Sequence, residues 1–329
     1  MQLPGMIPPA SWTIVMASGV VSIDLHLVHQ GVLSAILGCF AAAVWLFLVV
    51  VLAAPLVYQH GRFAREASAP TSLAAVAATC VLGTRLAGQD YRTAAAVLLA
   101  VAAIGWAVLL VPVLRHWKTP TTGISFIAGV ATDGLALLSA TLSAAYRAGW
   151  LLIAAVVLLL LALALYIFTA ARFDLRQLLR GQGDHWIAGG ALAISALSAG
   201  VITEAAAALG QFSHQHQVLS TGTLVLWCLA IAWLPALIGC EIISPRLSYD
   251  VRRWATVFPL GMYPACSFTV GRVAGVSGIT RFGQVGTWIA VAATLLALAG
   301  LSRHIRRTWP PRPPRAGSRP EPAVRGGAG

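Results

Sequence analysis

The chain has 329 residues, 58% of them hydrophobic and only 10% charged. A soluble domain carries about 25% charged residues, so these charges cannot cover a water-facing surface, whereas lipid requires none. The net charge of +12 does not point to nucleic acid, because half of the excess lies from Ser302 onward, in seven Arg and one Glu, and the rest sits between apolar runs rather than along one basic face.

A helix needs roughly 20 residues to cross a hydrocarbon core of about 30 Å. Ten runs of about that length occur, at 12–28, 36–57, 71–88, 94–114, 121–143, 150–168, 186–203, 224–240, 255–274 and 286–301. Only helices satisfy their own backbone in lipid, and no short alternating pattern suggests a barrel. The first run carries Asp24 and His26 and follows no basic segment, so it is expected to stay as a span rather than leave as a signal peptide. Ser11 just before it and Ser18 and Ser22 within it stand at helical spacing, with Asp24 near its outer end. Arg85 closes the third run at comparable depth.

The fifth run shows a stripe: Ser125, Gly129, Thr132, Ala136, Ser139 and Ser143 recur at spacings of 4, 3, 4, 3 and 4 and share one helical face. Two readings stand beside each other: a lumen-lining face, or small residues that let helices approach closely. Asp133 lies mid-span beside the stripe, where a charge costs about 2.5–3.5 kcal/mol on insertion scales. It is either a proton site or a neutral acid bonding a neighbouring helix. The seventh run adds Ser195 and Ser198 to the candidate lining, with Glu204 just beyond its outer end. The ninth has Phe258-Pro259 early in it and carries Thr256, Tyr263, Ser267, Gly271 and Arg272, and Arg281 follows it. Proline inside a helix removes a hydrogen bond and kinks it. Asp24, Glu204, Arg85, Arg272 and Arg281 are expected as ion pairs at an outer mouth or as a net-positive vestibule that concentrates anions.

Runs alternate in chemistry. The five odd runs hold 20 Ser and Thr, distributed 3, 4, 7, 3 and 3, and the five even runs hold Thr287 and Thr294 alone. This fits five helical hairpins, with odd helices inside around a lumen and even helices outside against lipid. Three odd runs open after Pro9, Pro70 and Pro120, as first helical turns tolerate. With the N-terminus inside, the cytoplasmic segments hold 17 Lys and Arg and the other side 5, which places both termini in the cytoplasm. A transmembrane domain over 1–301 and a disordered, basic, lipid-facing tail over 302–329 are expected.

Chemistry other than transport finds little support. Cys39, Cys80, Cys228, Cys240 and Cys266 form no CxxC pair, so they read as packing residues rather than disulfides or metal ligands. His214-x-His216 in an outer loop lacks nearby Cys or carboxylate ligands. No hydrolase, P-loop or dinucleotide motif occurs, and no cofactor is expected. An intramembrane enzyme or a non-transporting scaffold is the alternative to a small-anion transporter.

Several stretches resemble the tellurite-resistance/C4-dicarboxylate transporter family, which includes the plant slow anion channels. They are Pro-Ala-Ser-Trp-Thr-Ile-Val-Met-Ala-Ser-Gly-Val-Val-Ser in the first run and Gly-Val-Ala-Thr-Asp-Gly-Leu-Ala-Leu-Leu-Ser-Ala in the fifth. Gly-Asp-His-Trp-Ile-Ala-Gly-Gly-Ala-Leu-Ala-Ile-Ser-Ala-Leu at the seventh and Val-Phe-Pro-Leu-Gly-Met-Tyr in the ninth follow in order. The resemblance implies ten helices in five hairpins, an aromatic plug on the ninth matched best by Phe258 (with Phe268 on the same span), and a homotrimer in the cell membrane. It also implies transport of chloride, nitrate, sulfite, malate or tellurite-type anions by a channel or a proton-linked carrier. Where this chain has Asp133 a common family variant has Gln, which leaves room for proton coupling.

Overall fold

A computed structural model describes residues 9–58, 68–179, 183–245 and 249–308. Among them are ten helices of 14 residues or more. In chain order they are α1 Trp12–Leu27, α2 Gly31–Tyr58, α3 Ala74–Ala87, α4 Arg92–Arg115, α5 Ile127–Tyr146, α6 Gly149–Ala170, α7 Trp186–Leu209, α8 His216–Ile243, α9 Trp254–Ala274 and α10 Ser277–Thr308. No strand pairs along a ladder among the described residues. A single bridge joins Thr121 to Phe173.

The helices begin and end for local reasons. Four of the odd helices are entered through a tight turn: Pro9–Ser11, Pro70–Leu73, Gly123–Phe126 and Val251–Arg253. In two of these a side-chain oxygen takes a backbone donor near the helix start. Ser125 Oγ accepts from Thr122 N–H at 3.2 Å, and Asp250 accepts from Arg252 N–H at 2.9 Å. At the other end, each odd helix turns into the next even helix through a residue at positive φ: His29, Asp90, Arg147, Gly210 and Gly275. A left-handed residue ends a helix by reversing the chain within a few residues, so five tight hairpin turns lie at one end of the bundle. Longer links lie at the other.

Each odd helix packs on the even helix that follows it, and the five odd helices touch in a cycle, α1 to α3 to α5 to α7 to α9 and back to α1. Burial follows the same alternation. In the Gly123–Tyr146 segment 94% of the apolar window is buried, against 17% for Gly31–Val51 and 22% for Arg92–Arg115. The even helices leave large apolar side chains bare, including Ile36, Phe47, Ile104, Trp150 and Leu296. Such an apolar belt is a surface for lipid rather than water.

By length and composition eight segments can cross a membrane. The ten expected spans exceed that number by α1, which has 16 residues, and α9, which holds Pro259, Pro264 and two polar aromatic or hydroxyl residues in its middle. Helix α10 runs through residues 302–308, seven residues past the point where the tail was expected to begin. The rest of that tail, 309–329, and Arg62, Arg65, Arg180 and Arg246 lie outside the described residues.

Candidate functional site: the axis of the inner helices

The cycle of odd helices encloses an axis, and the starts of all five helices meet around it. A small cavity there is lined by Thr13, Ala74, Ile127, Ile187 and Ala255, each joined by the residue three positions before it. One turn from each helix thus contributes the same two positions, as five copies of one hairpin would.

Helix α9 can be oriented by what its faces touch. A Cβ on Gly261 would come within 2.9 Å of Val20 in α1, and one on Gly190 of α7 within 2.8 Å of Pro259. Ser267 receives the indole N–H of Trp227 in α8 at 2.8 Å, and Pro264 lies against Gly286 of α10. With about 3.6 residues per turn, Phe258 falls between the α1 and α7 faces and opposite the α8 and α10 faces. That direction is the axis. Its ring is 1% exposed and sits three residues beyond Ala255 of the cavity. Phe268 occupies a different face, where Gly283 of α10 approaches its ring. Pro259 offers no N–H to the Ala255 carbonyl, so the helix is weakened directly beneath Phe258.

The hydroxyl stripes are placed otherwise than the lumen-lining reading expects. Gly129 lies against the α6 backbone, 3.5 Å from the Ala162 carbonyl for an added Cβ. Thr132 accepts the indole N–H of Trp106 in α4 at 2.9 Å, and Ala136 packs with Leu152 and Ala155 of α6. This face of α5, at Gly129, Thr132 and Ala136, is a seam with the outer helices, and Ser125 serves the entry turn before it. Ser22 exchanges hydrogen bonds with Ser34 of α2, Ser18 bonds its own Ile14 carbonyl at 2.6 Å, and Ser267 serves Trp227. The Tyr263 hydroxyl lies against Gly189 of α7, which also meets Leu237 and Trp233 of α8. The physical reason is that small residues allow close helix approach, while a hydroxyl gives an outer tryptophan its acceptor. One regularity was open to sequence inspection. Trp45 and Trp106 are each the fifteenth residue of their helix, Thr79 and Thr132 each the sixth of theirs, and the two pairs bond at 3.0 and 2.9 Å.

Among the acids, Asp133 is 1% exposed and joins α5 to α7: its Oδ2 accepts from Ser195 Oγ at 2.6 Å, and Ser198 Oγ donates to its carbonyl at 3.2 Å. Its Oδ1 has no partner. Asp24 is fully buried, and neither carboxyl oxygen makes a hydrogen bond. At the hairpin-turn end Arg272 pairs with Glu204 at 3.0 Å, both partly exposed, while Arg281 is exposed with no ion pair among the described residues. Arg85 is buried and does not pair with Asp24. It bonds Ser22 and Ser34 instead. Sequence reading offered no sign of Ser34 as its partner. No group of three metal-ligating side chains occurs among the described residues.

A profile of the voltage-dependent anion channel family matches residues 6–302, in agreement with the resemblance to the tellurite-resistance transporters and slow anion channels. Two curated relatives, both described as uncharacterised membrane proteins of Mycobacterium tuberculosis, come from strains CDC 1551 / Oshkosh and ATCC 25618 / H37Rv. Each is 28% identical over 129 residues, 38% of this chain. The match spans 65% of the length of these relatives.

Proposed function

From its membership of the voltage-dependent anion channel family, to which this chain belongs, we propose that it passes small anions across the cell membrane along the axis of α1, α3, α5, α7 and α9. In this reading ten helices span as five hairpins, with both termini in the cytoplasm and the five tight turns outside. Phe258, backed by Pro259, closes the axis. The observation that supports the reading is the closed cycle of inner helices, and the turn position of Phe258, between the faces of α9 that meet α1 and α7, favours it as the plug. The cavity at the helix starts is lined by small and medium side chains such as Thr13, Ala74, Ile187 and Ala255, with Asp184 and Arg252 at its edge, so an aromatic ring beyond it meets little competition for space. Chloride, nitrate, sulfite and small carboxylates are the substrate class, and a homotrimer is the proposed assembly.

The test is anion flux into liposomes holding the purified full chain. Phe258→Ala should raise basal flux severalfold with little change in thermal midpoint. Removing a large aromatic from a packed core costs about 3–5 kcal/mol, so a purely structural Phe258 predicts a large loss of stability and no gain of flux. Phe268→Ala, facing α10, should show that structural pattern. Folded protein that passes no anion in either form would favour the non-transporting alternative.

A further inference from the structure

Arg85 is 5% exposed in the last turn of α3, and its charge meets no carboxylate within 4.0 Å among the described residues. The bonds that hold it have a definite polarity. Ser22 Oγ donates to the Ser34 carbonyl at 2.7 Å, and Ser34 Oγ donates to the Ser22 carbonyl at 2.7 Å. Both hydroxyl protons are thereby committed, and each oxygen turns a lone pair toward Arg85. Nε–H takes one at 2.8 Å and Nη2–H the other at 2.8 Å. Gly38 of α2 makes room, since a Cβ there would sit 3.0 Å from Ser22 Oγ and 3.6 Å from Nε.

The cradle is neutral and uses only the Nε–Nη2 edge of the guanidinium. Three of five N–H groups are left over, and two of them, one on Nη1 and one on Nη2, point in parallel along the free Nη1–Nη2 edge. Nη1 makes no hydrogen bond yet is not among the sealed polar atoms, unlike both oxygens of Asp24. A buried charge without a partner is strongly unfavourable, and a fixed fork of parallel N–H groups matches a planar oxyanion bidentately. Two other arginines toward this end are already matched, Arg92 with Asp90 and Arg272 with Glu204.

We propose that Arg85, held by Ser22 and Ser34, is a binding site for a small planar oxyanion of the carboxylate or nitrate type between α1, α2 and α3, at the hairpin-turn end of the bundle. The proposal deepens the anion-transport reading and rests on it for its role in flux, but binding itself is measured separately. In detergent, formate should raise the thermal midpoint of the full chain saturably, chloride less so, and bulky gluconate not at all. Arg85→Gln should abolish the response. Arg85→Lys should keep a chloride response and lose the preference for formate, because an ammonium has no planar fork. In liposomes the half-saturating formate concentration should rise about tenfold in Arg85→Gln, the scale of one lost charge-assisted contact. Arg92→Gln should leave it unchanged. Ser34→Ala keeps the charge and removes one arm of the cradle, so it should weaken formate binding severalfold even if Arg85→Gln does not fold. Formate stabilisation that persists in folded Arg85→Gln, or is unchanged in Ser34→Ala, or is absent from the wild type, overturns the site. A wild type that passes no anion but loses formate stabilisation on Arg85→Gln would overturn the transport reading and leave the site standing.

Discussion

Thr132→Val separates the two uses a buried hydroxyl can have. Valine matches threonine in shape, so no cavity opens at this fully buried position. What disappears is the acceptor for Trp106 Nε1 at 2.9 Å and a second, minor bond to the Ala128 carbonyl at 2.8 Å. Hydrogen bonds between membrane helices average about 0.6 kcal/mol and reach about 1.7, and an indole N–H left unpaired away from water costs about 1–3 kcal/mol. A loss of about 1 kcal/mol follows, which for a chain of this size lowers the thermal midpoint by about 2 °C. Thr79→Val removes the equivalent bond from Trp45 and should cost the same. The double variant should lose the sum, because the two seams share no partner. Thermal unfolding in detergent measures the loss, and anion flux per folded molecule in liposomes should stay at the wild-type value. A severalfold fall in flux with an unchanged midpoint would refute the seam and return Thr132 to the lining of the path.

Three further outcomes are expected. Cysteine at His214, in the exposed turn before α8, should react with an impermeant thiol reagent added outside, and cysteine at Arg176 should not; the opposite pattern overturns the orientation. Gly190→Leu should drive α7 from α9, since even a Cβ there meets Pro259 at 2.8 Å; overpacking of this kind costs about 1–3 kcal/mol, seen as a lower midpoint, and an unchanged one would mean the helices are not in close contact. Glu204→Gln removes the acid of an exposed pair with Arg272, worth at most about 1 kcal/mol. Stability should hardly move, while anion flux at low salt rises as the outer end becomes more positive; a flux independent of salt in both forms would contradict the vestibule.

The alternation of hydroxyl content between odd and even runs was legible, and it marks helices that are inside. Its cause was not legible. Ser and Thr on α1, α3, α5 and α9 bond their own i−4 carbonyls or neighbouring helices, so they satisfy packing and do not report a lumen. Periodicity shows that Ser125, Gly129 and Thr132 share a face, but not which neighbour that face meets. That depends on where Trp106 and Ala162 fall on other helices, which is information held by tertiary contacts. The same limit applies at the outer end. Charges of both signs at similar depth suggested ion pairs among Asp24, Glu204, Arg85, Arg272 and Arg281, yet Arg85 meets no acid and is taken by Ser22 and by Ser34 of α2. By contrast the Phe-Pro step in α9 carried its own local signal, because proline marks the bend whatever the surroundings.

Asp133 poses the last question, since on the proposed transport reading an ionised carboxyl close to the path would be a barrier. Two like charges about 4 Å apart repel by about 4 kcal/mol at an effective dielectric constant of 20, enough to lower local anion occupancy about a thousandfold. Asp133 bridges α5 to α7 through Ser195 and offers Oδ1 with no partner. No cation faces it among the described ion pairs. If anions pass close to it, as proposed, a passing anion and a proton on Asp133 would favour each other, and by reciprocity of linkage each would raise the occupancy of the other. This is the physical content of proposing Asp133 as a proton site. Asp133→Asn keeps an oxygen for the Ser195 hydroxyl and cannot ionise, so folding should survive. In liposomes, flux driven by a pH gradient should fall in the variant, while flux driven by an anion gradient persists or rises. Identical pH responses in the two proteins would leave Asp133 as a structural tie between α5 and α7 and the path as a simple channel.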